Sequence, residues 1–287
     1  MADRSSRYVH AVSEIFRDGL LDGQIAIVTG GGSGIGRVTA VELASLGAHV
    51  IVLGRRAEPL AQTVALAAPG RCEALVCDIR EEDQVDATVD DVVARHGRID
   101  LLVNNAGGQY MSPAELITPK GFRTVMRLNV EGTWLMTHAV ATKAMIPARG
   151  GKVVSVTLSP HHGLPGMAHS SAARAAVENL MRVLSIEWAR FGIRLNAIAP
   201  GFVGTDTFMT KYPEAVVAAA AATVPLQRLA RPEEIAWLVA QLASPAGDYT
   251  SGTTLTVDGA RDNHQGAWPP PAETAHDGEP VREARRA

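Results

Sequence analysis

The chain has 287 residues, 46% hydrophobic, 20% charged and 5% aromatic, with 27 Gly, 16 Pro and a formal net charge of −3. That is globular composition, long enough to bury roughly 75% of the surface its unfolded form exposes without staples. The slight acidity argues against a nucleic-acid or membrane-surface binder, and no apolar run reaches the roughly 20 residues of a membrane helix.

Residues 1–22 read as a leader whose Ile15, Phe16, Leu20 and Leu21 pack on the body. They carry no secretory apolar core. From residue 23 to 259, short apolar runs alternate with amphipathic stretches of helix length. Strands are expected at 25–29, 49–53, 73–77, 99–104, 152–158, 194–198 and 253–257, each Val/Ile/Leu-rich and bounded by Gly, Asn or Pro. Helices are expected at 34–46, 81–96, 121–146, 170–191 and 232–243. This alternation predicts a single α/β domain over 23–261, a doubly wound Rossmann fold with seven parallel strands and right-handed crossovers. Residues 205–224, with the run Ala218–Ala222, read as a mobile helical lid. The stretch 262–287, with Trp268-Pro269-Pro270-Pro271, reads as an extended or flexible tail. Cys72 and Cys77, the two cysteines, are too close in sequence for a disulfide framework and read as reduced thiols. With no targeting tripeptide at Ala287, a cytoplasmic location is expected.

The run Thr29-Gly30-Gly31-Gly32-Ser33-Gly34-Ile35-Gly36 leaves the first strand and opens the first helix. Glycines there let backbone amides approach a pyrophosphate, and the helix N-terminus adds its positive end; tight strand–helix packing is the plainer use of the same residues. The second strand ends in Gly54-Arg55-Arg56, where an enzyme reading a 2′-hydroxyl would place a carboxylate. Two arginines suit a 2′-phosphate, and hence NADPH; the alternative is two solvated surface cations.

These residues, with others, resemble the short-chain dehydrogenases/reductases over most of the body. Thr29–Gly36 matches that family's Thr-Gly-x-x-x-Gly-x-Gly, and Cys77-Asp78-Ile79 the segment whose Asp holds the adenine amino group. Asn104-Asn105-Ala106-Gly107, the helix residue Asn129, and Pro200-Gly201 followed by Val203 and Thr205 at the nicotinamide loop also match. The resemblance implies a nicotinamide-dependent oxidoreductase of small molecules, often a homotetramer or homodimer built on its two longest helices. The stripe Ala172, Ala173, Ala175, Ala176 is compatible with such helix contact, though alanine is also simply a good helix former.

The family's catalytic Tyr-x-x-x-Lys is replaced. Alignment on Ala175-Ala176-Val177 puts Ser170 in the Tyr position and Arg174 in the Lys position, i and i+4 on one helix face. The loop Ser159-Pro160-His161-His162-Gly163 puts Pro160 where the active Ser often stands, with Ser159 beside it. A serine is far less acidic than a phenol, and an arginine stays protonated. One branch, peroxisomal trans-2-enoyl-CoA reductase, is similar in Ile15–Leu20, Gly107–Glu115 and His169–Arg174, which implies reduction of an activated C=C in an acyl thioester. There charge develops on the thioester oxygen and needs donors and a field more than a strong acid. Ser170, Ser159 and Arg174 are the expected suppliers. Tyr110, Tyr212 or a histidine among His161, His162 and His169 would be the proton source, each with an equally good packing or solvated reading. Asn129 reads as structural or water-holding. No metal is expected, since no Cys or carboxylate stands at ligand spacing to these histidines. Two alternatives stay open: a carbonyl or alcohol oxidoreductase with an atypical donor such as Tyr110, and an inactive NADP(H)-binding scaffold.

Overall fold

The computed structural model describes residues 13–159 and 161–264. Seven strands form one parallel sheet in the order β3-β2-β1-β4-β5-β6-β7: β1 Ile25–Thr29, β2 His49–Gly54, β3 Cys72–Val76, β4 Leu101–Asn104, β5 Gly151–Val156, β6 Ile193–Pro200 and β7 Thr254–Val257. The inner strands are apolar on both faces because helices cover both. Ala26 and Val28 of β1 point into a core shared with α1 (Gly34–Ser45) and α10 (Pro232–Ala243). Ile27, between them, points into the opposite core, shared with α3 (Glu82–His96), α5 (Gly132–Val140) and α7 (Ala168–Glu187). Period-two alternation thus appears in which core is filled, not in polarity.

β1 pairs with β2 on one side and β4 on the other, so the strand order reverses between them. A crevice opens at the carboxyl ends of an open parallel sheet at such a point. The predicted strands coincide with the observed ones to within about two residues. Their helices hold one omission and one interruption. The omission is α2 (Ala57–Leu66), whose internal Pro59 and short apolar face, Leu60 and Thr63, mask its periodicity. The long helix expected at 121–146 is α4 (Pro119–Met126), α5 and α6 (Ile146–Ala148), joined through π-turns at Arg127–Glu131 and Ala141–Met145. Its start has a local cause: Thr118 Oγ1 accepts the Gly121 N–H at 3.0 Å, and Pro119 stands at the first helical position.

Of the leader, Leu21 is buried and Phe16 and Leu20 pack against the α1 side, while Ser13 Oγ donates to Glu42 at 2.6 Å. Ile15 departs from its expectation and lies 56% exposed. Residues 1–12, and the tail from 265 on with Trp268–Pro271, lie outside the described residues. The segment 205–224 is two short helices, α8 (Asp206–Lys211) and α9 (Glu214–Ala222), neither burying a residue. Among the described residues no helix is long and apolar enough to cross a membrane.

Candidate active site

The glycine run sits at the crevice. Gly30 has φ +65°, and a Cβ on it would come within 2.9 Å of the Ala106 backbone. A Cβ on Gly36 would collide with Asn105 Nδ2 and Gly30 O. These two positions need glycine so that the turn after β1 can touch the turn after β4. The contact is bonded as well as close. Asn105 Nδ2 donates to Thr29 O at 3.0 Å, and Thr29 Oγ1 accepts the N–H groups of Asn105 and Ala106, both at 3.0 Å. Ser33, the N-cap of α1, makes no side-chain cap, so the first amides of α1 are left to whatever lies in front of them. Arg37 braces the loop from behind, donating to Gly32 O and Thr63 Oγ1.

A cleft of about 310 Å³ opens here, and Gly30, Ser33, Ile35, Arg55, Arg56, Asp78, Ile79, Asn105, Ala106, Gly107 and Thr205 all line it. The other expected cofactor residues stand behind this lining. Gly34 and Gly36 serve the turn, Pro200 ends β6, and Gly201 N donates to Val257 O at 3.0 Å. Val203 is buried and bridges to Ala230, so it shapes the loop rather than presenting a side chain. Arg55 and Arg56 are exposed on the rim. Asp78 is already engaged: Arg80 grips its carboxylate at 2.5–3.2 Å. That pairing holds the Asp78 carboxyl below its ordinary range, with Arg55 adding to the field. A carboxylate has further lone pairs, so acceptor capacity toward an amino group remains.

The residues in the Tyr and Lys positions stand on α7, behind the residues that line the cleft. Ser170 is fully buried, and its Oγ donates to Gln109 Oε1 at 2.9 Å. One turn on, Arg174 Nη1 donates to Val156 O at 2.9 Å, while its Nε is sealed without a partner. A Cβ on Gly107 would clash with Arg174 Nη2 and lie 2.7 Å from Asn129 Oδ1. The guanidinium is therefore laid against the backbone of a cleft-lining residue. Among the described residues it has no ion-pair partner. The residue keeps a partly exposed edge, but protein packs densely about the guanidinium, and desolvation pulls its pKa down to about 10.

Asn129 sits in the π-turn between α4 and α5, wholly buried. It donates to Gly108 O at 2.9 Å and Val125 O at 2.8 Å, and accepts the Gly108 N–H at 3.2 Å. That clamps the loop after β4, consistent with its structural reading; π-turns often mark such places. Ser159 is buried and donates to Asp258, which also accepts the Asp262 N–H at 2.7 Å. Its proton is spent, leaving only lone pairs for a ligand. Tyr110 stacks edge-on against His169, with centroids 4.4 Å apart, and its hydroxyl lies against Gly121 of α4. His169 Nδ1 accepts the Ser170 N–H at 2.9 Å. Tyr212 lies far along the chain's lid segment, stacked on Phe208.

His161 lies at the surface with both ring nitrogens near carboxylates. Its Nδ1 meets Asp262 at 2.6 Å and its Nε2 meets Glu178 at 3.2 Å. Burial works to lower its pKa, but the two carboxylates outweigh that and raise it. The imidazole ties the loop after β5 to α7 and to the segment after β7. Of the alanine stripe, Ala173 faces the core while Ala172 and Ala175 are exposed. Gln109, Asp258 and Glu178 had not been singled out as site residues. Gln109 lies in a stretch that carries the resemblance, but the partners of Gln109 and Asp258 are 61 and 99 residues away.

Residues 30–260 match the family described as enoyl-(acyl carrier protein) reductase. The probable 2,4-dienoyl-CoA reductase [(2E)-enoyl-CoA-producing] of Bacillus subtilis (strain 168) is 36% identical over 247 residues, 84% of this chain and 97% of that protein. The peroxisomal 2,4-dienoyl-CoA reductase [(3E)-enoyl-CoA-producing] of Danio rerio is 32% identical, over 92% of this chain and 86% of the relative. Among solved structures, the citronellol catabolism dehydrogenase of Pseudomonas aeruginosa PAO1 is 43% identical, covering 86% of this chain and 98% of that one, with a TM-score of 0.78. A short chain dehydrogenase from Bacillus anthracis reaches 0.80 at 32% identity, over 87% and 100% of the two chains. The glycine turn, the reversed strand order and these likenesses agree: the chain belongs to the short-chain dehydrogenase/reductase family of oxidoreductases.

Proposed function

We propose that the protein is an NADPH-dependent reductase of an activated C=C in an acyl thioester, most simply a trans-2-enoyl-CoA. The observation that carries this reading is Arg174: a cation packed against the cleft-lining Gly107, with no ion-pair partner among the described residues, one helical turn from a serine, where the family keeps lysine and tyrosine. The names of the 2,4-dienoyl-CoA reductases it resembles support the same substrate class.

The residues fit a nicotinamide nucleotide: Ser33 makes no side-chain cap and so leaves the first amides of α1 open to a phosphate, and Arg174, its Nε without a partner, packs against the cleft-lining Gly107. When bound, the cofactor supplies the hydride. The amides of Ser33–Gly36 and the positive end of α1 hold the pyrophosphate, and Arg55 and Arg56 take the 2′-phosphate. Asn129 keeps the Gly107–Gly108 backbone in place. The Arg174 field favours negative charge on the thioester oxygen, and in a dry site that field is far stronger than in water. Ser170 Oγ donates its hydrogen bond to Gln109 Oε1, which leaves the Gln109 Nε2 amide hydrogens as donors for that oxygen. The proton for the α carbon then comes from solvent. Ala172, Ala175, Val183 and Ile186 leave α7 an apolar outer face, which suits a homodimer or homotetramer; a cytoplasmic location suits the reduced cysteines.

The test is NADPH oxidation with crotonyl-CoA and hexenoyl-CoA beside matched ketoacyl-CoA and simple ketones. Turnover of the enoyl thioesters alone is expected, and turnover confined to ketones or alcohols would sink the reading. The likeness to a citronellol catabolism dehydrogenase favours one competitor, an alcohol or carbonyl oxidoreductase with Tyr110 as donor. Tyr110→Phe separates the two. Because the Tyr110 hydroxyl lies against Gly121 of α4, the variant should keep enoyl-CoA turnover within about threefold, whereas loss of a true general acid costs about 10²–10⁴-fold. Normal NADPH binding without turnover of any substrate would favour the scaffold.

A further inference from the structure

At the end of the sheet opposite the cleft, three elements bring two imidazoles and a carboxylate together. His49 opens β2, Glu73 is the second residue of β3 and pairs in register with Ile51, and His96 ends α3. Both rings lie near one oxygen. His96 Nε2 is 2.9 Å and His49 Nε2 3.5 Å from Glu73 Oε1. The ring centroids are 4.8 Å apart, and the three donor atoms all lie within 4.8 Å of one another.

Two features make this more than a surface ion pair. His49 Nε2 is sealed from solvent and has no hydrogen-bond partner. An ordinary pair would leave neither ring nitrogen stranded, because a buried polar atom without a partner costs free energy. Secondly, the other carboxylate oxygen is already held: Arg95 Nη1 donates to Glu73 Oε2 at 2.6 Å, and Arg95 is itself bound by Asp91 at 2.7 Å. Glu73 is thereby turned so that Oε1 faces the imidazoles, as outer-shell partners turn ligating carboxylates. Arg95 Nη1 also stands 3.5 Å from His96 Nε2, but its charge is matched by Glu73 and Asp91. With neutral imidazoles the group carries a net charge of −1.

We propose that His49, Glu73 and His96 form a binding site for a zinc-type divalent cation. Two imidazole nitrogens and one carboxylate oxygen bind it, and water takes the fourth place. The spacings of 2.9 and 3.5 Å to Glu73 Oε1 are close to the roughly 3.4 Å that separates ligands around a tetrahedral ion with bonds of about 2.0–2.1 Å. Bound there, the ion ties the edge strand β3 to β2 and α3, so its effect is on stability and not on hydride transfer. No sequence spacing marks the site, because its ligands come from three separate elements.

Zinc is titrated calorimetrically into the full chain freed of metal by chelation, and thermal unfolding is followed with and without the ion. One equivalent should bind and raise Tm. His96→Gln should weaken binding at least about tenfold and remove the shift. Failure of the unaltered chain to bind zinc would overturn the proposal. So would a stoichiometric site that persists in the His49→Gln/His96→Gln pair. Since these changes fall on β2 and α3 beside the edge strand β3 and could loosen it, a second measurement uses the unaltered chain: on adding zinc, the imidazole NMR signals of His49 and His96 should move together at one equivalent, and their standing still would count against the site.

Discussion

Arg174→Met is expected to lower enoyl-CoA turnover by about 10²–10³-fold, the scale seen when one preorganised stabiliser of a developing oxyanion is removed. The same change should leave the fold as stable as before, or more so. Burial pulls the Arg174 pKa down from its ordinary value to about 10, and that shift corresponds to a penalty of up to roughly 3 kcal/mol for keeping the charge. The penalty is present at every pH below about 10, where the folded chain holds the proton, and is relieved as pH rises through that value. Methionine fills similar volume without the charge, at the loss of one hydrogen bond to Val156 O. Urea unfolding and steady-state kinetics on one preparation check both halves. A variant that lost stability in step with activity would show that the guanidinium is there for packing. The unaltered enzyme should hold its rate across neutral pH and lose it as pH approaches 10. Arg174→Lys should recover much of the rate but fall at lower pH, because a buried ammonium gives up its proton sooner than a guanidinium.

The double substitution Arg55→Ala/Arg56→Ala is expected to raise the KM for NADPH by about 10–100-fold and to leave that for NADH nearly unchanged. Each charge-assisted hydrogen bond to a phosphate is worth about 1.5–3 kcal/mol, or about one to two factors of ten. Both side chains are exposed, so salt screens them and the effect belongs toward the lower end. Raising ionic strength should then narrow the preference of the unaltered enzyme for NADPH, by a contribution absent from the double variant. Arg55→Asp should go further and favour NADH, since a carboxylate at the end of β2 repels the 2′-phosphate and can accept the ribose hydroxyls. Equal loss of both cofactors would mean that the arginines support the pyrophosphate site instead. The neighbouring Asp78 complicates this rim: it is gripped by Arg80 and lies in the field of Arg55, so some release of Asp78 should accompany loss of Arg55.

Much of this molecule could be read from local pattern. The strands announce themselves as short apolar runs because both faces of an inner parallel strand are buried, and the glycine turn does so because its backbone must lie where a Cβ would collide with Ala106 and Asn105. Ser170 and Arg174 are legible as a pair because four residues on a helix is a spatial distance as well as a sequence one. α2 was missed where Pro59 and a narrow apolar face blur the period. Beyond one element the signal stops. Ser170 with Gln109, Ser159 with Asp258, His161 between Glu178 and Asp262, and His49 with Glu73 and His96 are all joined by crossovers of a parallel sheet, and each crossover sets its partners tens of residues apart. Residue types thus specify which backbone forms and where a nucleotide can lie. Which polar groups are satisfied, and which are left stranded to meet a ligand, depends on packing between segments that have no fixed spacing along the chain.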